Sequence, residues 1–210
     1  MLMTNVQIFE EYYKQYDEWY EKNKAAYLSE VAALKKAVPK KGKGLEIGVG
    51  TGRFASKLGI KYGADPSRKM LRLARKRGVE TKLGFAEDLP YQDEHFDYVL
   101  INITLCFVND HLRALKEAKR TLKKHGKIII GIIDKNSFLG DFYQNKQSKF
   151  YDQARFFSVE DILGLLKSES FKDFSTFQTI YKLPQYVDLL EKPLHGWGKG
   201  GFVVISATKG

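Results

Sequence analysis

With 210 residues, 43% of them hydrophobic, the chain is long enough to bury one full core in a single domain, and its one cysteine, Cys106, excludes both an internal disulfide and a cysteine zinc cluster. The net charge of +10 would suit RNA, DNA or a membrane surface, but the lysines and arginines fall on the polar faces of amphipathic segments, the pattern of an ordinary basic surface. No apolar run nears the roughly 20 residues that span a bilayer, the N-terminus resembles no secretory signal, and a cytoplasmic location is expected.

In chain order, "EEYYKQYDEWYEKN" predicts a helix carrying Tyr12, Tyr13, Tyr16, Trp19 and Tyr20 as one aromatic stripe, which either docks the helix on the core or closes it over a ligand. Strand-like runs follow at Gly44–Val49, Ile60–Asp65, Val79–Gly84, Phe96–Asn102 and Gly126–Ile133. Between the last two, Leu112, Leu115, Ala118 and Leu122 recur at helical spacing behind an N-cap at Asp110. A later helix begins behind Ser158, with Glu160 and Asp161 in its first turn. Late strands are expected at 174–182 and 202–209. This alternation predicts an α/β fold, a parallel sheet covered on both faces. Segments 134–155 and 183–201 fall outside the rhythm. Cys106 reads as a small buried hydrophobe.

The run "LEIGVGTGRFA" places Gly48, Gly50 and Gly52 directly after the first strand, where open α/β sheets hold a nucleotide-like cofactor. A dinucleotide fold expects G-x-G-x-x-G. Here Arg53 stands at the third glycine, Gly52 comes one residue early, and Glu46 lies two residues before Gly48. Asp65 closes the second strand, where a carboxylate accepts hydrogen bonds from both ribose hydroxyls of an adenosine cofactor. A dehydrogenase would also need a separate substrate domain, for which the chain has little length, so the balance moves away from NAD.

Together "LEIGVGTGRFA", "GADPSRKMLRLARKRG", "GFAEDLPYQDEHFDYVLI" and "LKEAKRTLKKHGKIIIGIID" resemble the class I S-adenosylmethionine-dependent methyltransferases, in the branch of the ubiquinone and menaquinone C-methyltransferases. The resemblance spans Leu45 to Asp134. It implies a Rossmann-like, doubly wound, mostly parallel seven-stranded sheet with helices on both faces and an antiparallel last strand. It also implies one domain over 1–210, with a helical lid over about 1–37 and substrate-side insertions at about 134–155 and 183–201. By the same resemblance S-adenosylmethionine is the cofactor, with Glu46, Gly48, Val49, Gly50 and Gly52 around its methionine part and Asp65 on the ribose. Pro66, Met70, Ala86 and Glu87 then lie near the adenine, and Asn102 borders cofactor and acceptor. Many relatives carry Asp or Asn before this alanine, where the chain has Phe85. Similar "YDxW" segments in relatives assign Tyr16 and Trp19 to a lid over the cofactor, and Tyr12, Phe138, Phe142 and Tyr143 are expected to meet the acceptor.

Methyl transfer needs in-line placement and exclusion of water, with no metal and no covalent catalyst. Where the reacting atom carries a proton, the candidate bases are His111, Asp110 and His195, and His111, just after the fourth strand, is favoured. His95 and His125 fall in turns before strands and read as structural. "INITLCF" lacks the Asn/Asp-Pro-Pro-aromatic pattern of methylases acting on exocyclic base amines, so a small-molecule acceptor, an amine or an aromatic or quinone-like compound, is expected in preference to nucleic acid. The alternatives are an RNA methyltransferase and a protein that binds S-adenosylmethionine without turnover.

Overall fold

A computed structural model describes residues 4–210. Its helices are α1 (Asn5–Glu11), α2 (Tyr13–Lys22), α3 (Lys24–Ala37), α4 (Arg53–Leu58), α5 (Arg68–Lys76), α6 (His111–Thr121), α7 (Phe138–Asn145) and α8 (Val159–Ser168). The strands are β1 (Gly44–Ile47), β2 (Tyr62–Asp65), β3 (Glu80–Leu83), β4 (Phe96–Asn102), β5 (Leu122–Ile133), β6 (Phe171–Thr179), β7 (Leu194–His195) and β8 (Phe202–Lys209). They form one sheet in the order β3-β2-β1-β4-β5-β8-β6-β7. The run from β3 to β5 is parallel, and β8 is antiparallel to both of its neighbours. This is the mostly parallel, Rossmann-like sheet expected, with one strand more: the two-residue β7, which pairs Leu194 and His195 with Gln178 and Phe177 at the edge.

Side-chain alternation divides the core. Leu45, Ile47, Val99, Ile101, Ile128 and Ile130 point to the face covered by α6 and α8, through Leu115, Ala118, Ile162 and Leu166. Tyr98, Leu100, Ile129 and Val204 point to the face covered by α3, α4 and α5, through Val31, Leu34, Phe54 and Leu71. The period of two along each strand accounts for this, and double-sided coverage accounts for nearly unbroken apolar runs such as Ile128–Ile130. Glu46, between Leu45 and Ile47, therefore faces the α4 side. The chain leaves β1 for β2 on one side and returns through β4 on the other, so a crevice opens beyond the carboxyl ends of β1 and β4.

The aromatic N-terminal segment is broken into short helices that turn at Tyr12 and Asn23. α1 and α2 lie over the crevice, while α3 packs against β6 and β8 as part of the covering layer and reaches the crevice at Glu30. The stretch 134–155 contains α7, with Ser137 accepting a hydrogen bond from the Gly140 N–H at 3.0 Å. At eight residues, α7 is too short to show a clear period in sequence. The late loop is tied to α3, because the Glu191 N–H donates to Ser29 Oγ at 2.8 Å. Among the described residues no helix is long and apolar enough to cross a membrane.

One ion cluster fixes α2 over the glycine turn. Asp17 receives Arg53 through both Nε and Nη2 at 2.8 Å, and Arg77 Nη2 at 2.8 Å, while Arg77 Nη1 donates to Thr51 O at 2.7 Å. Arg53, at the position where a third glycine was sought, points outward into this cluster. Burial raises the Asp17 carboxyl, but hydrogen bonds from Arg53, Thr51 and Arg77 outweigh it and hold the group down to about 2. The unfolded carboxyl titrates near 3.8, so the cluster's contribution is complete above that pH and is lost as pH falls towards 2. Replacing Asp17 by Asn takes the carboxylate partner from Arg77 and leaves Arg53 only the exposed Glu21, 2.7 Å from its Nη1; urea unfolding should show a loss of about 1–3 kcal/mol at pH 7, and a variant as stable as the wild type would show that the cluster does not hold α2.

Candidate functional site

The crevice divides into two cavities. The first, of about 250 Å³, is lined by Gly48 and Gly50 from the turn after β1, by Asp65, Pro66, Ser67 and Met70 from the turn after β2, and by Gly84, Phe85, Ala86 and Glu87 after β3. Its roof comes from Asn5, Val6, Phe9 and Tyr16 of α1 and α2. The second, of about 360 Å³, lies between α2, α3 and the segment 143–151. Phe9, Tyr16, Ile103 and Phe107 line both cavities and form the wall between them.

The glycine turn is built for close approach. Gly48, Gly50 and Gly52 take φ of +70°, +50° and +78°, a region that other residues rarely adopt. A Cβ on Gly50 would meet only the Tyr16 ring, 3.8 Å away, so the backbone there is open to a ligand. Gly52 serves a different end: a Cβ on it would lie 2.8 Å from Ala74 Cα, so its absence lets α5 pack on the turn. That is the role a dinucleotide fold gives its third glycine, performed here one residue earlier.

Asp65 joins the two turns. Its Oδ2 accepts from the Gly50 N–H at 2.9 Å and its Oδ1 from the Ser67 N–H at 2.8 Å, leaving further lone pairs for ligand hydroxyls. Burial pushes its carboxyl up to about 6 against these two hydrogen bonds. Glu46 is buried, with Oε2 lacking any partner; burial holds its carboxyl well above the usual range, although the Ala55 N–H opposes this. Asn102 Oδ1 is likewise buried and unpartnered. An open glycine backbone and a carboxylate with free lone pairs, with two orphaned acceptors buried behind the cavity, fit the ribose and the amino-acid end of S-adenosylmethionine.

The roof is pinned beside Asp65. Glu10 Oε2 accepts from Ser67 Oγ at 2.6 Å and from the Lys69 N–H at 3.0 Å, fastening α1 to the first turn of α5. Asn5 Nδ2 donates to Phe107 O at 3.2 Å. Tyr16 and Tyr20 share a hydrogen bond of 2.7 Å between their hydroxyls. Burial raises the Tyr16 phenol, and the charges of Asp65, Glu46 and Glu30 add to the effect, so all three acids act on this one ring. At the end of β4, Ile103 has a φ of +47°, a strained conformation for a β-branched residue. Strain of this kind costs on the order of 1–3 kcal/mol and gathers where the surroundings over-determine it.

The structure brings together Gly48, Gly50, Asp65, Pro66, Met70, Ala86, Glu87 and Tyr16 around the first cavity. Trp19 and Tyr143 line the second. Glu46, Val49, Gly52 and Asn102 lie outside both linings, with Val49 buried beneath the turn. Glu87 Oε1 accepts from the Asn109 N–H at 2.9 Å. His111 lines neither cavity: its ring packs against Phe157 at 4.8 Å between centroids, and burial, aided by Arg155, lowers its affinity for a proton. Tyr12 lines neither cavity and instead carries Lys149 Nζ 3.6 Å from its ring centroid. Phe138 and Phe142 fall on the outer side of α7, in a surface groove with Leu183, because α7 turns Tyr143 inward. His195 is exposed on β7, and Asp110 caps α6 by accepting from the Arg113 N–H at 2.9 Å. Cys106 is only partly buried; burial of its thiol pushes it up to about 12, which keeps it protonated.

Sequence reasoning missed Phe9, Ile103, Thr104, Phe107, Phe150 and Tyr151, and it missed Glu30. Phe9 lies seven residues before Tyr16 and so continues the aromatic stripe by two turns. Glu30 stands at helical spacing from Ala26, Tyr27, Ala33 and Leu34, an acid on an otherwise buried face.

Comparison with known proteins agrees with this geometry. The methyltransferase domain profile matches residues 45–130. A crystal structure from Thermotoga maritima, described as a S-adenosylmethionine-dependent methyltransferase and possible histamine N-methyltransferase, superposes with a TM-score of 0.95 at 48% identity, covering 98% of this chain and 100% of that one. An uncharacterised protein of Methanocaldococcus jannaschii is 48% identical over 96% of this chain and 98% of its own length. The demethylmenaquinone methyltransferase of Bacillus licheniformis is 30% identical over 81% of this chain and 77% of its own. With the sheet order, the glycine turn and these relatives in agreement, the chain belongs to the class I S-adenosylmethionine-dependent methyltransferases.

Proposed function

We propose that this enzyme transfers a methyl group to a small-molecule acceptor held in the second cavity, across the wall of Phe9, Tyr16, Ile103 and Phe107. The observation that carries the reading is that wall: two adjoining cavities share the same four side chains. A volume of about 360 Å³ with eight aromatic side chains in its lining suits a small molecule. The relatives support an amine or an aromatic, quinone-like acceptor, since one is described as a possible histamine N-methyltransferase and another as a demethylmenaquinone methyltransferase.

In this reading Asp65 holds the ribose hydroxyls, Glu46, Gly48 and Gly50 receive the amino-acid end, and Pro66, Met70, Phe85 and Ala86 bound the adenine. Val49 and Gly52 shape the turn from behind, and Asn102 supports the wall from the end of β4. S-adenosylmethionine, once bound, supplies an electrophilic methyl group on a sulfonium, which an acceptor lone pair takes as the carbon–sulfur bond breaks and S-adenosylhomocysteine departs. The protein contributes alignment and dryness: the shared rings leave one line of approach, and α1 and α2 exclude water. The two helices form a lid within a single domain, with the segment 134–155 on the acceptor side.

Calorimetry provides the test. Asp65→Ala should weaken S-adenosylmethionine binding by about 100-fold, because the two turns lose their shared acceptor. Hydroxyl donors favour the ionised carboxylate, so wild-type affinity should fall as pH drops below about 6, a dependence that Asp65→Asn should lack. Undiminished affinity in Asp65→Ala would place the ribose elsewhere. Steady-state kinetics divides the cavities: Tyr143→Ala should raise the acceptor KM with little change in cofactor affinity, whereas Tyr16→Ala should affect both. Equal loss of cofactor binding in the two variants would refute the division.

A further inference from the structure

Glu30 is only 4% exposed, yet it lines the second cavity, and its Oε2 has no hydrogen-bond partner. Among the described residues no ion pair reaches it. Burial pushes its carboxyl up to about 8, with no countercharge or donor opposing the shift. The ionisable groups facing it are tyrosines: burial holds the phenols of Tyr16, Tyr20, Tyr27, Tyr143 and Tyr151 up, and the Glu30 charge adds to the effect on each. The two lysines of the cavity stand exposed at its rim and turn to other groups. Lys146 Nζ lies 5.2 Å from the Phe142 ring centroid, and Lys149 Nζ lies 3.2 Å from Gln15 Oε1 and over the Tyr12 ring.

We propose that Glu30 anchors a cationic amine: the acceptor is a small organic amine whose ammonium group sits on Glu30 among the rings of Tyr16, Trp19, Tyr20, Tyr143 and Tyr151, while a second, uncharged nucleophilic atom faces the shared wall. The proposal rests on the reading that the second cavity receives the acceptor. Aromatic faces attract a cation, and a buried carboxylate with no protein partner favours a ligand that brings one. A neutral quinone-like acceptor brings no positive charge to the acid, so the same group favours amines over it. Glu30 lies outside the four-residue wall, which makes it a positioning residue rather than the base. An ammonium nitrogen has no lone pair, so the reacting atom is a different one. Its lone pair forms the new bond to the methyl carbon, the carbon–sulfur pair stays on sulfur, and any proton on the reacting atom passes to water.

The test titrates the protein, loaded with S-adenosylhomocysteine, with tyramine and tryptamine and with their uncharged counterparts tyrosol and tryptophol. The amines should bind about 100-fold more tightly than the alcohols. Glu30→Gln should erase that preference, leave S-adenosylhomocysteine affinity unchanged and raise the thermal midpoint, because it removes a buried unpaired acid; Glu30→Asp should restore part of the preference. At pH 7 the free carboxyl is largely protonated and ionises against the ammonium, so each amine bound should release a proton, read from titrations in buffers of different ionisation enthalpy. Equal affinities for amines and alcohols, no binding of either amine, or a preference that survives in Glu30→Gln would overturn the anchor. Alcohols and amines bound equally but both lost in Tyr143→Ala would overturn the anchor and leave the cavity reading standing. Binding indifferent to Tyr143→Ala would remove the cavity reading itself.

Discussion

Burying an acid without a countercharge is among the most unfavourable things a fold can do, and this one buries three whose ionisation bears on a single tyrosine. Glu46, Asp65 and Glu30 are all nearly inaccessible, and all act on Tyr16. The chain has a net charge of +10, so cations are not scarce, but they stay on the surface. The described lysines and arginines near the crevice are engaged elsewhere, Arg53 and Arg77 with Asp17 and Lys149 with Gln15. The separation keeps acceptor capacity inside and free of competition from the protein's own cations. Hydroxyls and ammonium groups of ligands are the natural complement to such a site.

The sheet makes this arrangement affordable. β1 and β4 are nearly solvent-free on both faces, so the turns at their carboxyl ends are held by a rigid platform. Asp65 then ties the turn after β1 to the turn after β2 through two backbone donors. Over this rigid floor the roof is attached at separate points: Glu10 to α5, Asp17 to Arg53 and Arg77, and Asn5 to the loop after β4. These polar attachments add to ring packing, in which Phe9 meets Phe107 and Tyr20 meets Phe54, whereas the floor is held by apolar burial across the sheet.

Much of this was legible in the sequence because the signals were local. The glycines, Asp65 and the alternating strands are read within windows of a few residues, and β2, β4 and the α6 cap at Asp110 fall where the spacing placed them. The turn at Tyr12 was not visible, since aromatic and charged residues continue across it without a breaker. His111 follows β4 closely in sequence, but as the first residue of α6 its ring turns to Phe157, away from the crevice. Phe142 and Tyr143 are adjacent in sequence and about 100° apart around a helix, so only one of them faces inward. Glu30 was overlooked because its partners are spread over α2, α7 and the segment 148–151, a grouping that no local window contains.

With the cofactor and the acceptor in the two cavities as proposed, the wall of Phe9, Tyr16, Ile103 and Phe107 gives them a shared thermodynamics. Side chains that contact both ligands are ordered once, by whichever ligand arrives first, and the second finds them already in place. Linkage then requires the benefit to be mutual: whatever factor the cofactor adds to acceptor affinity, the acceptor returns to the cofactor. The same partition works in reverse after transfer, when loss of the methyl group on one side and its gain on the other change the fit of both molecules to the same four side chains. Product release on either side thereby becomes sensitive to the occupant of the other.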